Sequence, residues 1–216
     1  MIQDIKSVEL RNLQIEDYKE LKISMIESYP GMVDSYWEEK HIQKLLKIFP
    51  EGQLVIVVDG KVVGSALSLI VHEKLVDKNS DYKTVTGNYT FSTHTKDGEI
   101  LYGIDVFIHP NYRGLRLGRR LYDARKELCE NLNLKSIIIG GRIPNYHLHS
   151  AELSPRKYIQ QVRKKEIYDP VLSFQLANNF LPVRVLKNYL PEDLHSEENA
   201  VLMQWNNIYY SKKPNT

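Results

Sequence analysis

Apolar and polar residues follow two different patterns along the chain, and each pattern predicts a different kind of secondary structure. Short runs that alternate, or that are continuously apolar, predict strands. We expect strands at 5–11, 53–58, 62–71, 100–108, 136–139, 183–189 and 200–205. Apolar side chains that recur every three or four residues predict amphipathic helices. We expect these at 16–28, 36–49, 116–132, 154–165 and from Asp169-Pro170 to about residue 179.

The connections between these elements indicate the fold class. Asp59-Gly60 between two apolar runs is typical of a tight hairpin turn. Residues 73–98 are polar and rich in turn residues, so we expect an extended excursion with a short strand at Tyr89–Phe91. Early hairpins and one central strand–helix–strand crossover predict an α/β fold: a mixed, twisted sheet with helices on both faces.

Composition narrows the class of protein. The chain has 216 residues, enough for a single domain over 1–210 with 211–216 as a tail or linker. A net charge of +2 argues against a general nucleic-acid binder. No apolar run reaches the roughly 20 residues of a membrane span, and the first residues lack a signal-peptide core. The single cysteine, Cys129, excludes an internal disulfide. We therefore expect a cytoplasmic protein that does not bind membranes.

The segment after strand 100–108 has the chemistry of an anion site. A helix begins there, and its first N–H groups have no partners within the helix. Glycines let the backbone approach an anion closely, and arginines surround the turn. The residues concerned are Arg113, Gly114, Leu115, Arg116, Leu117, Gly118 and Arg119. The alternative is a solvated basic helix start, since Arg119, Arg120, Arg125 and Lys126 alternate with Asp123, Glu127 and Glu130 and some of them would form surface pairs.

This segment resembles motif A of the GNAT N-acetyltransferase superfamily, Arg/Gln-x-x-Gly-x-Gly/Ala. Here it reads Arg113 to Gly118, with Arg116 in place of the first motif glycine. We expect the backbone at Arg116 to be helical already. The resemblance covers the whole chain, and GGRIPNYH, DPVLSFQLANNF and QWNNIYY resemble GNAT domains fused ahead of a nitrilase-like carbon–nitrogen hydrolase.

The resemblance implies acetyl-CoA as cosubstrate and a direct transfer of its acetyl group to an amine. Strands 100–108 and 136–141 would splay apart, and the pantetheine arm would hydrogen bond to backbone along Val106, Phe107 and Ile108. A backbone N–H there would polarise the thioester carbonyl. The acceptor would be a small-molecule or protein amine.

The attacking amine must lose a proton, and Asp105 is the candidate base. Strand alternation places Asp105 and Phe107 on one face and Val106 and Ile108 on the other. The alternative is a structural carboxylate bonded to neighbouring backbone. Glu99, at the strand entrance, is a second candidate.

The tyrosine that protonates the thiolate in such enzymes would lie five residues before Phe180. That position is Gln175, so the usual acid is missing, and Tyr146 or Tyr168 would have to substitute. A thiol of pKa near 8.5 is a tolerable leaving group without an acid.

The loop after the second splayed strand is the expected mouth for the acceptor. It carries Arg142, Asn145 and His147, and Arg142 suggests an acidic or carboxylate-bearing substrate. The alternative is a hydrogen-bonded loop. His147 and His149 suggest no third ligand, so we expect no metal.

Two classes of function stay open. One is an acetyl-CoA-dependent N-acetyltransferase. The other is an acyl-CoA-binding sensor or partner module with little activity, favoured by Gln175 and by the resemblance to fused proteins. A nitrilase-like hydrolase partner or domain fits the second, and a homodimer is compatible with both.

Overall fold

The computed structural model describes residues 5–29, 32, 36–76 and 81–212. Residues 213–216 of the predicted tail lie outside this part of the chain. The helices are Tyr18–Ser28 (α1), Glu39–Ile48 (α2), Tyr82–Val85 (α3), Leu117–Asn131 (α4), Pro155–Arg163 (α5) and Pro170–Ala177 (α6). The strands are Val8–Asn12 (β1), Leu54–Val58 (β2), Lys61–Val71 (β3), Ile100–Ile108 (β4), Ser136–Arg142 (β5), Leu181–Leu186 (β6) and Ala200–Asn206 (β7).

The strands form one sheet in the order β1-β2-β3-β4-β5-β7-β6. Strands β4 and β5 are parallel, and every other neighbouring pair is antiparallel. The parallel pair needs a crossover, which α4 supplies between its two strands. The mixed sheet predicted from the element order is confirmed.

Helices cover both faces of the sheet, as predicted. On one face α1 and α2 bury Leu21, Met25, Ile42 and Leu45 in a shared cluster. On the other, α4, α5 and α6 bury Tyr122, Cys129, Tyr158, Ile159 and Leu172. None of the described helices is long and apolar enough to cross a bilayer.

The β2–β3 hairpin has the predicted tight turn. Asp59 and Gly60 both have positive φ, 48° and 81°, which matches the right-handed twist of the flanking strands. The Asp59 carboxylate also accepts hydrogen bonds from the backbone N–H groups of Lys6 and Ser7, at 3.0 and 2.8 Å. The turn therefore joins the hairpin to the start of β1.

Four strand predictions differ from the structure by more than one residue. The strand expected at 5–11 spans Val8–Asn12. The strand expected at Tyr89–Phe91 is a turn, because both end residues have positive φ, 64° and 58°. The strand expected at 136–139 continues to Arg142, because β7 pairs with Gly140 and Gly141. The strand expected at 183–189 begins and ends earlier, at Leu181 and Leu186.

The single cysteine is part of the core beneath the sheet. Cys129 is fully buried on α4, and its thiol donates to the backbone oxygen of Leu134 at 3.5 Å. Burial raises the pKa of the thiol to about 12. The side chain therefore packs as a small apolar group at neutral pH.

Candidate active site

The centre of the sheet opens between the two parallel strands. Pairing of β4 with β5 extends only from Ile100 and Ser136 to Gly103 and Ile139. Beyond that point β4 stays paired with β3, and β5 stays paired with β7. The strands diverge, and the backbone groups that would have paired face a gap. This is the splay expected for 100–108 and 136–141.

A β-bulge in β4 lies at the apex of the gap. Leu67 of β3 faces Asp105, but the next residue, Ser68, faces Gly103, so Ile104 is the extra residue. A bulge redirects the side chains that follow it. Ile104 and Phe107 pack with the α1–α2 cluster, whereas Val106 packs against the α4 side.

The side chain of Asp105 lies on the α1 side of the gap. Its carboxylate accepts a hydrogen bond from the Tyr29 hydroxyl, which also lies 3.2 Å from the backbone oxygen of Val106. Burial raises the pKa of Asp105, and the hydrogen bond from Tyr29 opposes that rise. Burial, and then the Asp105 charge, raise the pKa of Tyr29 well above its usual value. Asp105 thus has a higher proton affinity than a surface aspartate, while Tyr29 stays protonated.

A cavity of about 760 Å³ lies above this pair. Its floor is the diverging part of the sheet, from Gly103 to Val106 of β4 with Ile139 and Gly140 of β5. Its wall is aromatic and consists of Tyr29, Tyr36, Trp37, Tyr82 and Tyr89. A concave, largely apolar space with a few polar groups is the usual form of a small-molecule site.

Arg125 fills the inner end of the gap from α4 and is 1% exposed. Its Nη2 donates to the backbone oxygens of Leu67 and Asp105, at 3.0 and 2.9 Å, so it satisfies carbonyl groups beside the bulge. A Cβ on Gly103 would lie 2.8 Å from Arg125 Nη1, which explains the glycine. Some of the charges on α4 do form surface pairs, since Arg119 and Lys126 lie 3.8 and 3.7 Å from Asp123, but the buried Arg125 is not one of them.

The predicted anion-binding turn connects β4 to α4. Gly114 has φ of 83° with open space around it. Arg113 is exposed, but its guanidinium is also held by the protein. It donates hydrogen bonds to the backbone oxygens of Ile108 and Ser28, at 3.2 and 3.3 Å. A Cβ on Gly118 would lie 3.0 Å from the Phe174 ring, so this glycine lets α4 approach α6. Leu115, Arg116 and Arg119 are exposed around the helix start.

The backbone at Arg116 is left-handed, with φ 59° and ψ 17°, and the helix begins only at Leu117. The expectation that Arg116 is already helical is wrong. The family's glycine at this position would adopt the conformation freely, whereas an L-residue there costs roughly 1–2 kcal/mol.

Arg116→Gly should raise the free energy of unfolding by about 0.5–1 kcal/mol, since the strain is relieved and part of the gain is offset by chain entropy. Urea denaturation measures this. Arg116→Ala is the matched control, because it removes the same charge and keeps the strained conformation. Equal stability of the two variants would contradict the assignment of strain to Arg116.

Arg142 is the one predicted acceptor residue that lines the cavity. Its guanidinium forms a bidentate ion pair with Asp193, with both N–O distances at 2.6 Å. It also lies 5.8 Å from the centre of the Tyr29 ring. The charge of Arg142 is thus compensated by Asp193, and its position fixes one edge of the cavity.

Tyr146, Asn145 and His147 are directed elsewhere. The Tyr146 hydroxyl donates to the backbone oxygen of Leu153 at 3.0 Å. The Asn145 side chain donates to the backbone oxygen of Tyr168, and His147 stacks on His195 with ring centres 4.7 Å apart. They lie outside the residues that line the cavity. In the described residues, no group of three His, Cys, Asp or Glu side chains could hold a metal ion.

The structure adds two polar residues that the sequence interpretation did not select. Tyr29 is separated from Asp105 by 76 positions, and no local pattern joins them. Arg125 carried a signal, because it lies one helical turn from both Leu121 and Cys129, on the buried stripe of α4. Gln175, at the position of the missing tyrosine, does line the cavity.

Two relatives from Bacillus subtilis (strain 168) match nearly the whole chain. "Probable hydrolase YhcX" is 43% identical over 205 residues, which are 95% of this chain and 40% of that protein. The chain thus spans about two fifths of the length of that relative. "Uncharacterized N-acetyltransferase YkwB" is 33% identical over 209 residues, covering 96% of this chain and 92% of the relative.

Solved structures show the same fold. The loading GNATL domain of CurA from Lyngbya majuscula superimposes with a TM-score of 0.81 at 22% identity, covering 93% of this chain and 98% of that domain. The GNAT-like decarboxylase GphF, in complex with isobutyryl-CoA, gives a TM-score of 0.77 at 18% identity, covering 92% and 98%. At these identities the likeness shows the fold alone. The sequence model of the acetyltransferase (GNAT) family matches residues 9–151, and with the YkwB match it shows that this chain belongs to the GNAT family.

Proposed function

We propose that the chain transfers an acetyl group from acetyl-CoA directly to an amine, with Asp105 as the base. The observation that carries this is the carboxylate of Asp105 beside the gap where β4 leaves β5. The family assigns acyltransferase chemistry to this fold, and acetyl-CoA is its cosubstrate. The identity of the amine and the roles of single residues are our proposal. In this proposal residues 1–210 work as one acyltransferase domain.

The cosubstrate fits two features at the same end of β4. The turn from Arg113 to Arg119 offers helix N–H groups and guanidinium groups to the pyrophosphate. The backbone of Val106, Phe107 and Ile108 borders the gap, where an extended pantetheine arm would add to the sheet edge. A backbone N–H in this stretch would polarise the thioester carbonyl.

The chemistry needs a neutral amine. An alkyl amine with a pKa near 10.4 is neutral in about one molecule in a thousand at pH 7. The amine nitrogen attacks the thioester carbon, the new C–N bond forms, and the C–S bond breaks. Asp105 takes the proton that the nitrogen loses. Its raised pKa makes it a stronger base than a surface aspartate.

Tyr29 holds the carboxylate of Asp105 in place through its hydroxyl. The leaving thiolate has no tyrosine at position 175, and the Tyr146 hydroxyl is bonded to Leu153. We propose that the thiolate leaves without a dedicated acid, because a thiol pKa near 8.5 makes it a tolerable leaving group. The roles of Arg142 at the cavity edge, and of Asn145 and His147 further along the loop, would be to shape the acceptor side.

A two-stage experiment tests this function. Acetyl-CoA and CoA are first titrated against the folded chain while its melting temperature is followed. A ligand at 100 times its Kd should stabilise the chain by about 2.7 kcal/mol. Free thiol is then measured with acetyl-CoA and a panel of amines. An absence of stabilisation at millimolar ligand would contradict CoA binding, and binding without thiol release from any amine would contradict transfer.

The second candidate is an acyl-CoA-binding module with little catalytic activity. Gln175, where a proton-donating tyrosine would stand, favours it. The longer relative is named a probable hydrolase, which supports the proposal that such a domain works beside a hydrolase. A nitrilase-type hydrolase rests on the sequence resemblance alone, and a homodimer is compatible with either candidate. The thiol-release stage separates this candidate from the first.

A further inference from the structure

The inner end of the gap contains a buried arginine, Arg125, and some of its N–H groups have no acceptor among the described residues. Arg125 is 1% exposed, and only its Nη2 is bonded. Its Nε and Nη1 have no hydrogen-bond partner in the described part of the chain. Arg125 takes part in none of the ion pairs found among those residues. A buried charge with unsatisfied donors is costly, so a ligand that completes it would bind favourably.

Gln175, which lines the same cavity as Arg125, and Tyr122 each carry a buried oxygen, Oε1 and Oη, that has no hydrogen-bond partner among the described residues. The Tyr122 ring centre lies 6.0 Å from the Arg125 guanidinium carbon. Gln175 lies against Gly141 of β5, where a Cβ would come within 2.1 Å of its Oε1. The inner end of the gap is therefore a polar pocket, although the surrounding cluster is apolar.

Three lysine and arginine side chains line the described cavity, and two of them are paired. Arg142 is held by Asp193, and Lys40 lies 2.8 Å from Glu38. Arg125 is the third, and its guanidinium is the one open to an anionic group at the apex. Gly103 and Ile139, the last paired residues of β4 and β5, line the cavity at the same point.

We infer that Arg125 binds a carboxylate at the end of the donor's acyl group, so that the preferred acyl donors are CoA thioesters of short dicarboxylic acids. The inference rests on the proposed function, which puts the pantetheine arm in the gap and directs the acyl group toward its apex. A methyl group there would leave the Nε and Nη1 donors of Arg125 without an acceptor, whereas a carboxylate would accept hydrogen bonds from them. The same transfer then applies: the amine attacks the thioester carbon, the C–S bond breaks, and the terminal carboxylate is carried intact to the product.

The test compares malonyl-CoA with isovaleryl-CoA, which has a similar shape and no charge. Calorimetric Kd values should favour malonyl-CoA by about 10- to 100-fold in the unmodified chain, the range that one charge-assisted hydrogen bond supplies. Free CoA serves as the reference for the rest of the ligand. Equal binding of the two thioesters, or tighter binding of isovaleryl-CoA, would overturn the inference.

Two variants distinguish an effect of the Arg125 charge on binding from an effect on folding. Arg125→Met should bring the ratio of the two Kd values to about one. Because this change also removes the donor to the carbonyl groups beside the bulge, its Kd values are compared only if the variant melts cooperatively when followed by circular dichroism. Gln175→Glu leaves the bulge intact and places a negative charge on the cavity lining, so it should lower the preference for malonyl-CoA over isovaleryl-CoA at least 10-fold. A Gln175→Glu variant that kept the full preference for malonyl-CoA would also count against the inference.

The outcomes distinguish this inference from the proposed function. If acetyl-CoA releases thiol with an amine and malonyl-CoA has no advantage in binding, the acyl preference fails and the transferase stands. If malonyl-CoA binds preferentially through Arg125 and no amine releases thiol from either thioester, the transferase fails and the carboxylate site stands.

Discussion

Replacing Asp105 with asparagine should lower the rate of acetyl transfer at pH 7 by about 100-fold or more, the range for loss of a general base. Asparagine can still accept the Tyr29 hydrogen bond, so the geometry of the site is kept. The rate of thiol release at saturating acetyl-CoA measures the effect. An asparagine variant with unchanged turnover would remove Asp105 from the mechanism.

Glu99→Gln is the matched control. Glu99 accepts from the backbone N–H of Glu73 at 3.1 Å and lies 3.5 Å from His72, outside the residues that line the cavity. The same change from carboxylate to amide there should alter the rate by less than about two-fold. A loss as large as that of Asp105→Asn would mean that general charge, and not the base, controls the rate.

The Asp105 substitution also predicts opposite effects on activity and stability. Burial raises the pKa of Asp105 in the folded chain, so the folded state binds the proton more tightly than the unfolded state does. The stability that protonated Asp105 contributes is therefore fully present below the unfolded pKa, near 3.9, and is lost as the pH rises through the raised folded value. Asp105→Asn should melt at a higher temperature than the unmodified chain at pH 7, and this advantage should shrink toward pH 4.

Asp169→Ala should destabilise the fold by about 3–5 kcal/mol, the largest loss we expect from one polar residue. The fully buried carboxylate accepts from the backbone N–H groups of Val171 and Leu172 at the start of α6, at 3.0 and 2.8 Å. It also accepts from the Tyr158 hydroxyl at 2.8 Å and from the Asn145 N–H at 3.1 Å. Alanine would leave these four donors without their acceptor, and urea denaturation measures the result.

Tyr158→Phe provides the scale for that measurement, since it removes one of the four donors and keeps the ring. A loss of about 1 kcal/mol is expected for it. Because α6 carries Val171 and Gln175 to the cavity, Asp169→Ala should also weaken CoA binding. A destabilisation by Asp169→Ala no larger than that by Tyr158→Phe would contradict the view that this carboxylate organises α6.

The sequence predicted the elements whose signal is local. Strand β4 has the predicted ends because its apolar run is continuous, and the Asp59-Gly60 turn follows from two residues that tolerate positive φ. The two glycines after Ile139 suggested the end of a strand. In the structure they continue β5 because β7 pairs with them, and the Tyr189 ring and Gln175 occupy the space where their side chains would be. Only the tertiary structure contains that information.

The same division applies to the site. Asp105 and the Arg113–Arg119 turn are close in sequence to the strand that positions them, so the sequence could place them. Tyr29 contacts Asp105 from the end of α1, which is distant in sequence. Arg125 is identified as a buried cation only in the structure, where carbonyl groups beside the bulge at Ile104 accept its hydrogen bonds. Loop residues after β5 were harder to place, because Asn145 bonds to Tyr168 and His147 contacts His195, partners that lie 23 and 48 positions further along the chain.

The burial of Cys129 has a practical consequence for measuring turnover. A thiol with a pKa raised to about 12 is almost entirely protonated at pH 7–8, and a protonated, enclosed sulfur does not attack a disulfide reagent. An aromatic disulfide such as Ellman's reagent would therefore report released CoA without a background from the folded protein. The sequence has one cysteine, so a slow rise in absorbance in the absence of acetyl-CoA would come from Cys129. Its rate would report how often α4 unfolds locally and exposes the thiol.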